Sequence, residues 1–216
     1  VGERTALYGL ICGPLTLASH LRGTEIFMDM FDDPGYVRAL LAYTSRVARR
    51  MTELYIDAGM DVIAYVDPLI SQISPRTFRT YLHEPLSSLL GQLQQDGVPS
   101  SLFVCGDATK NIEAMCQTGP DAICIDENID LPAAKTITDR YNITIGGNIP
   151  LTTVLLLGTQ QDAIKWVLDA LAAVDTHNLI VAPGCDMPYD TPVENVIGVV
   201  QALRDPDHYR AKLAHY

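Results

Sequence analysis

Two thiols in this chain close apolar runs beside a glycine. Cys105 ends the run in SLFVCGD (residues 101–107), and Cys185 ends the last apolar run in VAPGCD (residues 181–186). Strand-like residues lead in, and the glycine lets the backbone turn. The C-terminal lip of a buried strand is where an α/β barrel keeps its chemistry. If the strands are parallel, the same ring of lips carries Cys12, Asp67, Asp107, Asp126, Glu127, Asn148 and Asp186. Lys110 is the one cation near it. Thiols and carboxylates without cations make no cradle for phosphate. They suit a divalent metal, because the ion offsets carboxylate repulsion and the cost of ionising the thiols. Zinc accepts thiolate together with nitrogen or carboxylate. An open zinc position would make a thiol substrate nucleophilic near neutral pH.

Plainer roles compete for each residue. Cysteine is often simply buried, which is the reading favoured for Cys12, Cys116 and Cys124. Asp67, Asp126 and Asp186 have the alternative of capping a helix or shaping a loop. Among the histidines, His20 lies in a helix, His177 precedes the last strand, and His208 and His215 are in the tail. Only His83, in the stretch 81–85, is kept as a remote candidate.

Six strand–helix units are expected to position these groups. Strands are read at residues 7–12, 61–66, 101–105, 122–125, 143–145 and 179–182, with helices at 14–21, 33–58, 74–93, 111–117, 131–140, 160–174, 191–203 and from 206 onward. The long helix carries its apolar stripe on Val37, Leu40, Leu41, Thr44, Val47, Ala48, Met51, Leu54 and Tyr55. Pro85 is expected to kink or divide the helix in which it falls. Strict alternation means a parallel sheet. A closed barrel has eight units, so the chain reads as a barrel without its first two, or as a complete six-stranded open sheet.

The 216 residues suffice for a single domain over 1–216 with one core. With 26 acidic side chains against 15 basic, the net charge of −11 argues against nucleic acid or an anionic membrane as the main partner. Arg46, Arg49 and Arg50 are the densest basic group and read as a solvated helix face. No apolar run reaches the ~18–20 residues of a membrane span. No leader peptide is visible, so the cytoplasm is the expected location, and the five cysteines are expected to be reduced. The chain opens at Val1 without methionine and is expected to be an N-terminally truncated fragment.

Five stretches together carry a resemblance: GLICGPLTLASHLRG (9–23), ISPRTFRTYLHEPL (73–86), FVCGDATKNIE (103–113), GGNIPLTTVLL (146–156) and PGCDMPYDTPVENV (183–196). In this order they resemble the uroporphyrinogen decarboxylase superfamily. The resemblance implies a (β/α)8 TIM barrel of which this chain holds strands three to eight. Decarboxylases of that superfamily carry histidine–glycine where this chain has Cys185-Asp186, and they lack the cysteine supplied here by Cys105. The branch similar to methylcobalamin:coenzyme M methyltransferases has both cysteines, as ligands of zinc.

That branch implies a methyltransferase moving a methyl group between a corrinoid (cobalamin) and a small substrate or thiol, the corrinoid being carried by a separate protein over the C-terminal face. Its histidine ligand falls at Phe103, so another donor is needed. Glu127 or Asp126, one strand away at roughly 4.8 Å per strand, is the geometric candidate. The expected site is therefore Cys105, Cys185 and Glu127 on zinc, Asp126 as the catalytic carboxylate, and Asp67 and Asn148 lining the substrate pocket. A homo-oligomer is a possible assembly. The alternatives are a metal-free decarboxylase acting on a tetrapyrrole, and a corrinoid- or metal-binding homologue without activity.

Overall fold

The structure, a computed structural model, describes residues 2–213. His215 lies outside the described residues, as does Val1, on which the reading of the chain's beginning rested. Strand order follows chain order, β1-β2-β3-β4-β5-β6, in a six-stranded sheet. The chain divides into two compact units, residues 1–123 and 124–216.

In the first unit, β1 (Tyr8–Cys12), β2 (Val62–Val66) and β3 (Ser100–Val104) pair in parallel, with Tyr8 opposite Val62 and Ile63 opposite Ser100. Ile63, Ala64 and Tyr65 are all buried, as expected of a strand covered on both faces. Helices α1 (Pro14–Arg22), α2 (Ile26–Asp32) and α3 (Pro34–Asp57) follow β1. Asp33 caps α3 by accepting from the Tyr36 amide. The inward stripe of α3 is Val37, Leu41, Thr44, Ala48 and Thr52. Leu54 is exposed, contrary to the expected stripe, because two residues past Thr52 puts it on the opposite face. The buried threonines are satisfied: Thr44 donates to the Pro14 carbonyl at 2.9 Å, and Thr52 shares a 2.7 Å bond with the Tyr65 hydroxyl.

After β2 come a 3₁₀ turn (Pro68–Gln72), α4 (Pro75–Tyr81) and α5 (His83–Asp96). The division falls at Leu82 and leaves Pro85 in the first turn of α5, where its missing N–H has no intrahelical partner to lose. Phe78, Leu82, Leu86, Leu89, Leu90 and Leu93 are buried beneath these helices. A short α6 (Ile112–Cys116) follows β3. The segment α2 was not expected, since seven residues show too little periodicity to read.

In the second unit, β4 (Ala122–Ile125, whose first two residues belong to the first unit) leads to α7 (Leu131–Arg140), and β5 (Thr144–Ile149) pairs in parallel with β6 (Leu179–Pro183). Strand β5 runs through Gly146-Gly147-Asn148, where a strand end was expected. The glycines are there for close approach: a Cβ on Gly146 would lie 2.7 Å from the Cys124 sulfur, and one on Gly147 2.6 Å from the Ile125 carbonyl oxygen. A π-helical turn (Leu151–Leu156), also unexpected, precedes α8 (Gln160–Ala173), which opens with a capping box between Thr159 and Asp162. Helix α9 (Val193–Arg204) packs on α8 and α10 (Pro206–Leu213) follows, with Ile149, Leu155, Ala163, Val167, Leu168, Val199 and Ala202 in the shared core. Among the described residues no helix is long and apolar enough to cross a membrane.

Candidate functional site

The strand ends of the first unit are tied together by their backbones. The Gly13 amide donates to the Val66 carbonyl at 2.8 Å, and the Asp67 amide to the Phe103 carbonyl at 2.9 Å. These bonds carry Asp67 beneath the start of α1. Its carboxylate accepts from the amides of Leu15 (3.0 Å) and Thr16 (2.9 Å) and from the Thr16 hydroxyl (2.6 Å). Helix α1 begins at Gly13, which has no side chain to cap it, so the capping oxygen arrives from another strand. Gly13 must be small: a Cβ there would lie 2.4 Å from the Asp67 Cβ.

Asp67 is fully buried, and both its oxygens are occupied by α1. The structure thus puts it under the lip as a support, whereas a pocket wall was expected. Burial pushes its pKa up to about 6, against the downward pull of the bonds from Thr16 and Leu15. Burial, followed by the Asp67 charge, pushes the Cys12 thiol up as well. Cys12 is only partly buried, where its plainer reading expected full burial.

Cys105 directly follows β3 and is partly buried. Gly106, at φ +80°, makes the turn after it. Asp107 accepts from the Thr109 amide at 3.1 Å, and bonds from Thr109 hold its carboxyl below the usual range. Asn111 is buried and donates to the carbonyls of Ile70 (2.7 Å) and Ile73 (2.9 Å).

In the second unit three expected residues meet. Asn148 donates its amide to the carbonyls of Asp126 (2.9 Å) and Ile129 (2.7 Å), closing the loop that follows β4. Asp126 accepts from the Asn128 amide at 2.9 Å and from the Asn128 side chain. Glu127 accepts from the Leu151 amide at 2.7 Å, at the head of the π-helical turn. Cys185 comes near through its neighbour, since a Cβ on Gly184 would lie only 2.6 Å from the Glu127 amide nitrogen. A half-open cavity of about 400 Å³ borders this cluster, lined by Glu127, Asn128, Asn148, Pro150 and Trp166 among others. Trp166 and Asn128 had not been singled out. Trp166 reads in sequence as one more position of an amphipathic helix, and Asn128 as a loop residue.

Zinc was expected on Cys105, Cys185 and Glu127. Among the described residues no three histidine, cysteine, aspartate or glutamate side chains gather to hold a metal ion. The Glu127 carboxylate is also already engaged by Leu151. A structural or catalytic zinc takes at least three protein donors.

Comparison with known proteins fits this architecture. Methylcobamide:CoM methyltransferase MtaA of Methanosarcina barkeri is 31% identical over 213 residues, covering 94% of this chain and 59% of the relative. A uroporphyrinogen decarboxylase of Anaeromyxobacter dehalogenans is 26% identical over 210 residues, with the same coverage of 94% and 59%. The chain thus spans about three fifths of the length of these curated relatives. A solved methyltransferase from Methanosarcina mazei superposes with a TM-score of 0.85 over 93% of this chain and 59% of that one, at 24% identity, and so shares the fold. The sequence model of the family described as Uroporphyrinogen decarboxylase (URO-D) matches residues 1–206. With its six parallel βα units and this match over nearly its whole length, the chain belongs to the uroporphyrinogen decarboxylase family.

Proposed function

We propose that the protein carrying this chain is a methyltransferase that moves a methyl group between a corrinoid carrier and a small substrate or thiol. The observation that carries the reading is the 31% identity to a methylcobamide:CoM methyltransferase across 94% of the chain, against 26% to a decarboxylase. The presence of Cys105 and Cys185 just past β3 and β6 supports it. The corrinoid supplies the methyl carrier. A cavity of about 400 Å³ suits a small molecule, which supports a carrier held by a separate corrinoid protein.

The residues of this chain have positioning and proton-handling parts. Asn148 fixes the loop that bears Asp126 and Glu127, and Glu127 fixes the turn at Leu151. Trp166 and Pro150 wall the substrate cavity and limit its water. An acceptor thiol must lose its proton before sulfur bonds the methyl carbon, and the Asp126 carboxylate is the group assigned to receive it. Cys185, just past β6, is assigned to the site as a thiol. No step is drawn through zinc. A cytoplasmic protein, with self-association as a further possibility, accords with this reading.

The test is methyl transfer from methylcobalamin to CoM and to other small thiols, with uroporphyrinogen consumption as the parallel arm. Asp126→Asn is expected to lower kcat/KM for transfer roughly 100-fold. Consumption of uroporphyrinogen without any methyl transfer would establish the decarboxylase alternative instead.

A further inference from the structure

A groove of about 440 Å³ runs between α3 and the α4–α5 pair, away from the strand ends. Three arginines of α3 line it, Arg38, Arg46 and Arg49. Their spacing of eight and then three residues puts them along one side of the helix, spread over about 16 Å at 1.5 Å per residue. Each guanidinium rests on neutral groups. Arg38 donates to the Thr80 carbonyl at 3.2 Å and lies 5.1 Å from the Tyr81 ring centre. Arg46 lies 5.7 Å from the Tyr43 ring centre. Arg49 donates to Gln92 at 3.3 Å and Ser88 at 3.0 Å.

Among the described residues none of these three is ion-paired. Glu84 is the one acidic residue in the lining, so the groove is positive on a molecule whose net charge is −11. Here the guanidiniums are held in place by carbonyl, amide, hydroxyl and ring contacts, with most of their five N–H donors each still uncommitted.

We propose that this groove is a docking site for an acidic polypeptide segment of a partner protein, its carboxylates meeting the arginines in sequence along α3. Bidentate guanidinium–carboxylate pairs give such a contact both strength and register. A single phosphate or carboxylate cannot reach charges spread over about 16 Å, so an extended ligand is favoured over a small anion. The acidic remainder of the surface repels a nucleic acid, whose charge extends well beyond any short groove. The proposal is independent of the methyl-transfer reading.

The test uses a fluorescein-labelled poly-glutamate peptide of about ten residues, with binding read by anisotropy at about 50 mM and about 300 mM salt. The peptide is expected to bind at low salt and weaken as salt rises. Arg46→Glu/Arg49→Glu should weaken it by at least roughly tenfold, and Arg38→Gln/Arg46→Gln/Arg49→Gln by a smaller factor. The control Arg50→Glu/Arg210→Glu, at paired positions outside the groove, should bind as the unaltered chain does. Circular dichroism confirms that each variant is folded. No binding at low salt, equal loss in the control, tighter binding of an oligonucleotide of equal charge, or displacement of the peptide by inorganic triphosphate at matched charge would each overturn the proposal.

Discussion

Two carboxylates that follow parallel strands, Asp67 after β2 and Asp126 after β4, do different work. Asp67 is sealed beneath α1 with three donors on its oxygens. Asp126 belongs to a loop beside a half-open cavity, with Asn128 as its local partner. The cause lies in the helices. Helix α1 starts at a glycine and has to borrow a cap from a distant strand. Helix α7 brings its own cap, Asp130, and α8 its own capping box.

The comparison breaks most readily at Asp67. Asp67→Ala leaves the Leu15 and Thr16 amides without their acceptor inside the protein, and a loss of about 3 kcal/mol of stability is expected in denaturant unfolding. A loss below about 1 kcal/mol would mean that α1 does not depend on this carboxylate.

The second effect is on pH dependence. The pKa of Asp67 is raised from 3.8 to about 6 in the folded chain, so the native state holds the proton more tightly than the unfolded one. Its contribution is therefore fully present below about pH 4, falls as pH rises towards about 6, and is constant above that, a change of order 3 kcal/mol. Comparison of unfolding free energies for the unaltered chain and Asp67→Asn across this range isolates it. A variant with an unchanged slope would assign the pH dependence to other groups.

In the second unit, Asn148→Ala removes both donors that close the loop after β4. A cost of about 2 kcal/mol is expected, with methyl transfer falling by more than the stability loss explains. Equal activity after correction for the folded fraction would remove Asn148 from the site. The smallest effect is expected from metal. After incubation with zinc and dialysis, less zinc should remain on Cys105→Ser or Cys185→Ser than on the unaltered chain. About one equivalent, lost in both variants, would put the two sulfurs in one centre.

Much of the frame was legible because strand–helix alternation repeats a pattern that local residues dictate. Cys105 and Cys185 could be put at strand ends from the glycine beside each apolar run. The job of Asp67 could not, because its partners lie about fifty positions away and no local spacing reports a borrowed cap. Gly146-Gly147 read as an ending, since a glycine pair gives the same signal whether the chain turns or a neighbour crowds it. The π-helical turn at Leu151–Leu156 is apolar and short, and the carboxylate that seats its first amide, Glu127, comes from a different strand. Trp166 faces a cavity that exists only once α7 and α8 are folded.

The near-contact between Gly184 and the Glu127 amide leaves no slack between the segment preceding Cys185 and the loop that walls the cavity. Any side chain larger than hydrogen at 184 would wedge the two apart, fixing the cavity mouth in a splayed position whatever the substrate.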